Sequence, residues 1–573
     1  MKTIQKRRVL LYWLLGAALT ATLFFVLYRV SNFRYENSDD GLIMKAFMGF
    51  EGGKPVQFLL YTHTLLTWVL YGFSTVAPGY AWFSVFQFVL LLASGTVLVK
   101  SMMQLAHGYR FPWLAGGIAG GLFLAVFMAF AACRISYTTT AALAGAAAVA
   151  QLMTVGTGHT EDAPVVRAYL LSLLLLLCAY SLRAVSVLPS LAFIVLGFGW
   201  QIGFRKRRTG SAVIQLRPIL ISMLVFLLAF VVMIGIRQLE VRALNQQPTL
   251  DWHSARTTLM DYTAFEADPT PSLTVSGGLS ACEVEMVRQW YFMDSNITTQ
   301  ALQSMAGAYT TDGGMNVWTS VTTFFTANPR YVYAILLLMA LCALCLLGER
   351  KEAPYGGLVA LLSLLGGVAM IVLLCWRGRV LPRAVDAAML PCAAMLFSLA
   401  LLRHVPFGGR WALRRVTVII LAGLLLASAG LNVKQTYHDI TRAQDTVSQQ
   451  READLETYAL ANPTLLVVRS PNLLRDTRLQ PDVSAGIPTN IALWGDWTCR
   501  MPGWYAQMTK LGFDGYTFAA KDWLRDTLVF AAADAKDTQA LQAYLAEALG
   551  VPVEAVLCGS QGTLSFFRFK NST

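Results

Sequence analysis

Apolar runs near 20 residues long recur along the whole chain, and few folds can accommodate so many. In a bilayer, a helix of about 20 apolar residues crosses the hydrocarbon core with its backbone groups paired internally. The runs are residues 9–30, 79–100, 111–132, 137–155, 166–179, 184–204, 218–236, 331–347, 357–375, 387–402 and 416–431. The fifth is short and suits a tight hairpin with the sixth. Only 14% of the 573 residues are charged, against about 25% in soluble domains. The fold class expected is therefore mainly α: a polytopic membrane protein of about eleven transmembrane helices. The first run is longer than a signal-peptide core and lacks a clear small-residue cleavage site, so it counts as a helix.

The net charge of +12 does not call for nucleic acid. Much of it lies in short basic clusters between apolar runs, as topology determinants do. Arg205-Lys206-Arg207-Arg208 and the cluster Arg410, Arg414, Arg415 are the strongest. With the N-terminus cytoplasmic, loops 107–110, 156–164, 205–217, 349–352 and 403–415 are cytoplasmic too. The extracytoplasmic side then receives 31–78, 237–330, 376–386 and 432–573. Within the first outer loop, residues 56–73 are apolar but carry Gln57, Thr62, His63, Thr64 and Thr67. That mixture suits an interfacial helix. The alternative, a true span, would place the basic clusters outside.

The expected organisation is a transmembrane domain over 1–431, containing the first outer loop 31–78 and a large outer loop 237–330, followed by a small extracytoplasmic α/β domain over 432–573. In that last domain, 464–468 and 527–531 read as short buried strands. Residues 537–549 have helical periodicity ended by Gly550, and 553–557 with 563–569 form a closing strand pair. Six cysteines, including the Cys342–Cys345 pair, lie in or beside apolar runs, where small buried cysteines are common. Cys499 and Cys558 are candidates for a disulfide on sequence grounds alone.

Two adjacent carboxylates, Asp39 and Asp40, follow the first run in Asn37-Ser38-Asp39-Asp40-Gly41. Acidic groups at a membrane boundary are expensive to desolvate, so they stay hydrated or do chemistry. They can serve as a general base, as ligands of a magnesium or manganese ion, or both. The bland alternative is a helix start, because Ser-Asp-Asp-Gly before Leu42 is good capping sequence. Arg134, Arg183, Arg377, Arg379 and Arg383 fall on the outer boundary against the usual charge bias. Guanidinium binds phosphate bidentately, so Arg183, Arg379, Arg383 and Arg134 are candidate donor-phosphate ligands; general snorkelling to lipid is the alternative. His63, Arg256, Asp261 and Tyr262 are candidates for holding a sugar or acceptor. So are the aromatic stretches 290–294 and Trp494-Gly495-Asp496-Trp497, although packing of an outer subdomain explains those equally. The chain contains no Walker loop, no HExxH and no Rossmann fingerprint. Chemistry on the outer side then needs a donor already carried across the membrane, which a lipid-linked sugar supplies.

The acidic pair after helix one, the interfacial stretch behind it, the many spans and the outer C-terminal domain together resemble the GT-C superfamily of integral membrane glycosyltransferases. The Arg256…Asp261-Tyr262, Trp290…Asp294 and Gly495-Asp496-Trp497 stretches also resemble a group of bacterial, often Firmicutes-type, membrane proteins. The resemblance implies an inverting glycosyltransferase using a polyprenyl-phosphate sugar, with Asp39 as the base and Asp40 beside it. The acceptor would be a cell-envelope glycan, a glycolipid or a protein. No WWD motif of the oligosaccharyltransferase type is present. A transporter or flippase of lipid-linked glycans, or a polysaccharide polymerase or ligase, is the competing class. The first would show matching halves with broken helices, which this sequence lacks.

Overall fold

The structure, a computed structural model, describes residues 2–572 except 51, 156–164, 210–211, 264, 266–277, 311–316, 348–354, 378–379, 403–411, 443–445, 471–472, 474–475, 494, 496 and 514. Among the described residues, nine helices are long and apolar enough to cross a membrane. They are Arg7–Val30, Trp82–Gly108, Pro112–Cys133, Ala184–Gly203, Arg217–Ala243, Pro329–Leu347, Gly356–Trp376, Pro382–Leu402 and Val416–Thr441. Each coincides with an expected run. The other two expected spans are helices as well, but shorter. Tyr137–Met153 has 17 residues, every one of them buried, and extends roughly 25 Å at 1.5 Å per residue. Its alanines and glycine let neighbouring helices approach closely, as small residues do in membranes. The second, Tyr169–Leu182, is apolar and short.

The chain divides into two compact units. The first gathers Met1–Arg34, Phe86–Ile236 and Met315–Gln444, and holds the spanning helices. The second gathers Tyr35–Val85, Arg237–Gly314 and Asp445–Thr573. An even number of long helices separates each consecutive pair of its three segments.

Within the second unit, helix α1 (Ser38–Met48) carries the acidic pair and helix α2 (Thr64–Val76) follows it. Helix α2 is 13 residues long, roughly 20 Å, too short for a 30 Å hydrocarbon core. Leu65, Trp68, Val69, Phe73 and Val76 form an exposed stripe at helical spacing, while Leu66, Thr67 and Leu70 are buried. This is the amphipathic form expected of an interfacial helix.

The C-terminal part builds a five-stranded sheet from β1 (Leu466–Arg469), β2 (Ile491–Leu493), β3 (Leu528–Ala532), β4 (Val553–Gln561) and β5 (Leu564–Asn571). The spatial order is β2-β1-β3-β5-β4. The first three run parallel and the last two pair antiparallel. The 537–549 periodicity matches helix Gln539–Leu549, closed by Gly550 at φ 67°, a left-handed position that favours glycine. Strand β3 is buried on both faces, which explains its unbroken apolar run. Leu528, Phe530 and Ala532 enter one core, and Val529 and Ala531 the other. The first core also takes Trp252, Leu259, Val284, Phe292 and Leu302 from 237–314. Of the five strands of this sheet, only the short β2 escaped the sequence reading. Cys499 is buried and Cys558 exposed, and no disulfide joins them.

Candidate active site

Helix α1 starts at Ser38 because Asn37 caps it: the Asn37 side chain accepts from the Asp39 backbone N–H at 2.9 Å. The capping acceptor is Asn37 rather than either carboxylate; both aspartates lie in the first turn. Successive helical residues point about 100° apart, and the two carboxylates differ accordingly. Asp40 is fully buried and Asp39 half-buried. The more accessible of the pair is thus the one read as the base. Asp40 lies near the buried Tyr35. Burial, then the charges of Asp40 and Asp476, push that phenol well above its ordinary pKa.

One turn below Asp40, Lys45 reaches a buried acidic triad. Its Nζ lies 2.9 Å from Glu452, 2.9 Å from Glu456 and 2.7 Å from Asp476. Arg478 bridges Glu456 and Asp476 at 2.6 and 2.8 Å, and Arg469 pairs with Glu452. Three cations thus meet three carboxylates, all sheltered from solvent. Burial alone would discharge Lys45, but Asp476, Glu452 and Glu456 overcome it and hold the lysine above its usual pKa. Burial likewise opposes the charge on Asp476, yet Lys45 and Arg478 keep its carboxyl well below the usual range. The oxygens of Glu452, Glu456 and Asp476 are spaced as metal ligands. The Lys45 ammonium fills that space, so the cluster is an ion network. Sequence reading missed it; the one available signal was a lone lysine inside Leu42-Ile43-Met44-Lys45-Ala46-Phe47.

Gly41, between Asp40 and Lys45, touches the main chain of Asp476. A Cβ there would lie 2.3 Å from the Asp476 carbonyl oxygen. Gly41→Ala should therefore displace α1 and destabilise the second unit by about 1–3 kcal/mol, the usual cost of overpacking. Thermal unfolding of purified wild type and variant checks this.

The remaining candidates of the second unit fall into two groups. His63 is buried and caps α2, its Nδ1 accepting from Leu65 N–H at 3.2 Å. Next to it, Thr64 donates to Glu240, which Arg237 holds at 2.7 Å while stacking 4.4 Å over Phe58. Tyr61 links this region to Arg256, accepting from its Nη2 at 3.4 Å, and packs on Trp497 at 5.3 Å. Arg256 lies 5.5 Å over the Trp290 ring and is 3% exposed. Asp261 is half-buried and Tyr262 exposed, further along helix Gln247–Tyr262.

The two aromatic motifs meet each other. Tyr291 bridges Gly495 in antiparallel fashion, and a Cβ on Gly495 would fall 1.7 Å from the Trp290 carbonyl oxygen. Trp290 itself adopts φ 63°. Tyr291, Phe292 and Met293 are buried, and Asp294 accepts from Tyr544 Oη and from Asn296 N–H. Most of this stretch is core, in line with the packing alternative; Asp496 lies outside the described residues. His253 is buried next to Arg256 and Arg500, and burial followed by those two charges lowers its pKa well below the ordinary value.

The arginines read as donor-phosphate ligands belong to the first unit. Arg134 is buried and donates to the backbone carbonyls of Asn32, Cys133 and Ile440. Burial and then Arg34 pull its pKa to about 10, so it stays charged at neutral pH. Arg183 is half-buried, 5.0 Å over the Tyr137 ring. Arg383 is half-buried in the first turn of Pro382–Leu402. Arg379 lies outside the described residues.

No family model and no curated protein matches the chain. Among solved structures it is similar to ArnT from Cupriavidus metallidurans. For the apo form the identity is 14% and the TM-score 0.37, with 97% of each chain covered. For the form bound to undecaprenyl phosphate the identity is 13% and the TM-score 0.37, again with 97% of each chain covered.

Proposed function

We propose that this protein is an inverting GT-C-type glycosyltransferase that moves a sugar from a polyprenyl-phosphate donor to an extracytoplasmic acceptor. The observation that carries the reading is the setting of the acidic pair. Asp39 and Asp40 head a short helix whose capping acceptor is Asn37 rather than either carboxylate, inside one compact unit gathered from three separate segments of the chain. Asp39 removes the proton from the acceptor hydroxyl, which attacks the anomeric carbon opposite the leaving phosphate. Asp40, buried beside it, orients Asp39 or helps hold a magnesium or manganese ion. Arg183 with Arg379 or Arg383 holds the donor phosphate and stabilises the charge on the departing lipid phosphate. Arg134, whose N–H groups serve backbone carbonyls, supports the boundary where they act. His63, Arg256, Asp261 and Tyr262 line the acceptor side. The positive-inside pattern supports a cytoplasmic N-terminus, with the acidic pair on the outer side.

The protein, reconstituted in liposomes, should be offered polyprenyl-phosphate sugars and nucleotide sugars in parallel with envelope glycans and glycolipids as acceptors. Transfer from the lipid-linked donor alone is expected. Transfer from a nucleotide sugar overturns the reading.

A further inference from the structure

Five consecutive residues of the C-terminal region, Asp476-Thr477-Arg478-Leu479-Gln480, run along the first outer loop and touch it on both sides of the acidic pair. Before the pair, the Tyr35 backbone N–H donates to the Thr477 carbonyl at 2.8 Å. Just after it, Gly41 packs on the Asp476 main chain. One turn further, Lys45 binds the Asp476 carboxylate. The chain just beyond the loop is tied down as well. Ser84 Oγ donates to the Leu479 carbonyl at 2.6 Å and accepts from Tyr35 Oη, also at 2.6 Å. Gln480 Oε1 accepts from the Ala81 N–H, and its Nε2 donates to the Gly79 carbonyl, each at 2.9 Å. The strap, α1 and the residues it touches between 35 and 84 belong to the same compact unit.

We infer that this strap positions Asp39 and Asp40, so that the C-terminal domain aligns the reacting carboxylates without touching substrate. The catalytic part of the inference rests on the function proposed above; the mechanical part does not. The logic is one of constraint. A helix of 11 residues is too short to hold its own conformation in water, so its pose is set by what grips it. The grips at 35, 41 and 45 bracket positions 39 and 40. Small errors in placing a catalytic group are costly, with a shift of about 1 Å worth on the order of 100-fold in rate. Tyr35, Lys45, Ser84, Asp476 and Gln480 are positioning residues in this scheme.

The test uses Ser84→Ala combined with Gln480→Ala in full-length protein in nanodiscs. Both changes remove strap bonds and leave the six-charge network intact. Hydrogen exchange is followed over 38–48 and, as an internal control, over strand residues 528–532. Exchange over 38–48 should rise by about tenfold, the scale of a local opening made easier, while 528–532 stays unchanged. In the transfer assay, kcat should fall by about tenfold or more, with KM for the lipid donor within about twofold. The single variant Gln480→Glu keeps the acceptor for Ala81 N–H and should retain most of the wild-type rate. Unchanged exchange over 38–48 overturns the strap, and so does an equal rise in both peptides, which is loss of fold. Raised exchange with unaltered kcat overturns its positioning role. If wild type transfers no sugar at all, the proposed function fails and the exchange measurement still decides the strap.

Discussion

Replacing Asp39 with Asn is expected to lower kcat for sugar transfer by about 10³-fold, within the range that a general base contributes, while KM for the lipid donor changes little. Asn is nearly isosteric and keeps an acceptor oxygen, so α1 and its Asn37 cap should persist. Only the capacity to take the acceptor proton goes. Asp40→Asn should cost less, on the order of 10-fold to 100-fold, because Asp40 is buried and acts through its neighbour. Steady-state kinetics of the two variants against wild type, with circular dichroism to establish folding, separate these roles. Equal turnover in all three proteins would remove the acidic pair from the mechanism. A larger loss for Asp40 than for Asp39 would exchange their assignments.

The second large effect concerns stability. Glu452 faces two buried cations, Lys45 and Arg469. Glu452→Gln leaves them with one carboxylate fewer, and breaking a buried ion pair by removing one partner typically costs about 3–5 kcal/mol. Exchange protection of the β3 amides should fall by about two to three and a half orders of magnitude, at 1.4 kcal/mol per decade. The network also sets a pH window. Asp476 has a depressed pKa in the folded state. Its contribution is present above the unfolded value near 4 and is lost as pH falls further. Lys45 has a raised pKa. Its contribution is complete below its unfolded value near 10.4 and fades as pH rises beyond that. Stability of the second unit should therefore be flat from about pH 5 to 10 and drop on either side. A Glu452→Gln protein as protected as wild type would show that the ion pairs contribute no net stability.

The spanning helices were legible in the sequence because hydropathy over about 20 residues is a local property. The short amphipathic form of α2 was legible for the same reason, from its mixture of threonines and leucines. In the C-terminal domain the strands at Leu466–Arg469 and Leu528–Ala532 announced themselves by apolar runs, and Gly550 announced the end of its helix. What lay beyond reach was non-local. Nothing in the sequence says that Lys45 meets Glu452, more than 400 residues away, or that 476–480 returns to grip Tyr35 and Ser84. Nor does local pattern reveal that the large outer loop and the C-terminal sheet share one core through Trp252, Phe292 and Phe530. The aromatic motifs at Trp290 and Trp497 show the complementary difficulty. Aromatic residues beside carboxylates look alike whether they stack on a sugar or on each other, and only burial separates the two. The pairing of Tyr291 with Gly495 places much of that pattern in packing.

Transfer of sugar from a polyprenyl phosphate with inversion leaves two products, a free lipid phosphate and a new glycosidic bond, that can be read together. Wild-type protein in liposomes is given a labelled polyprenyl-phosphate sugar and an acceptor, and both the lipid and the new glycosidic bond are characterised. Free polyprenyl phosphate is expected in equal amount to product, with the anomeric configuration opposite to that of the donor. Lipid-linked sugar recovered intact on the other side of the membrane, or polyprenyl diphosphate released from a diphosphate-linked donor instead, would contradict it and identify a flippase or a polymerase.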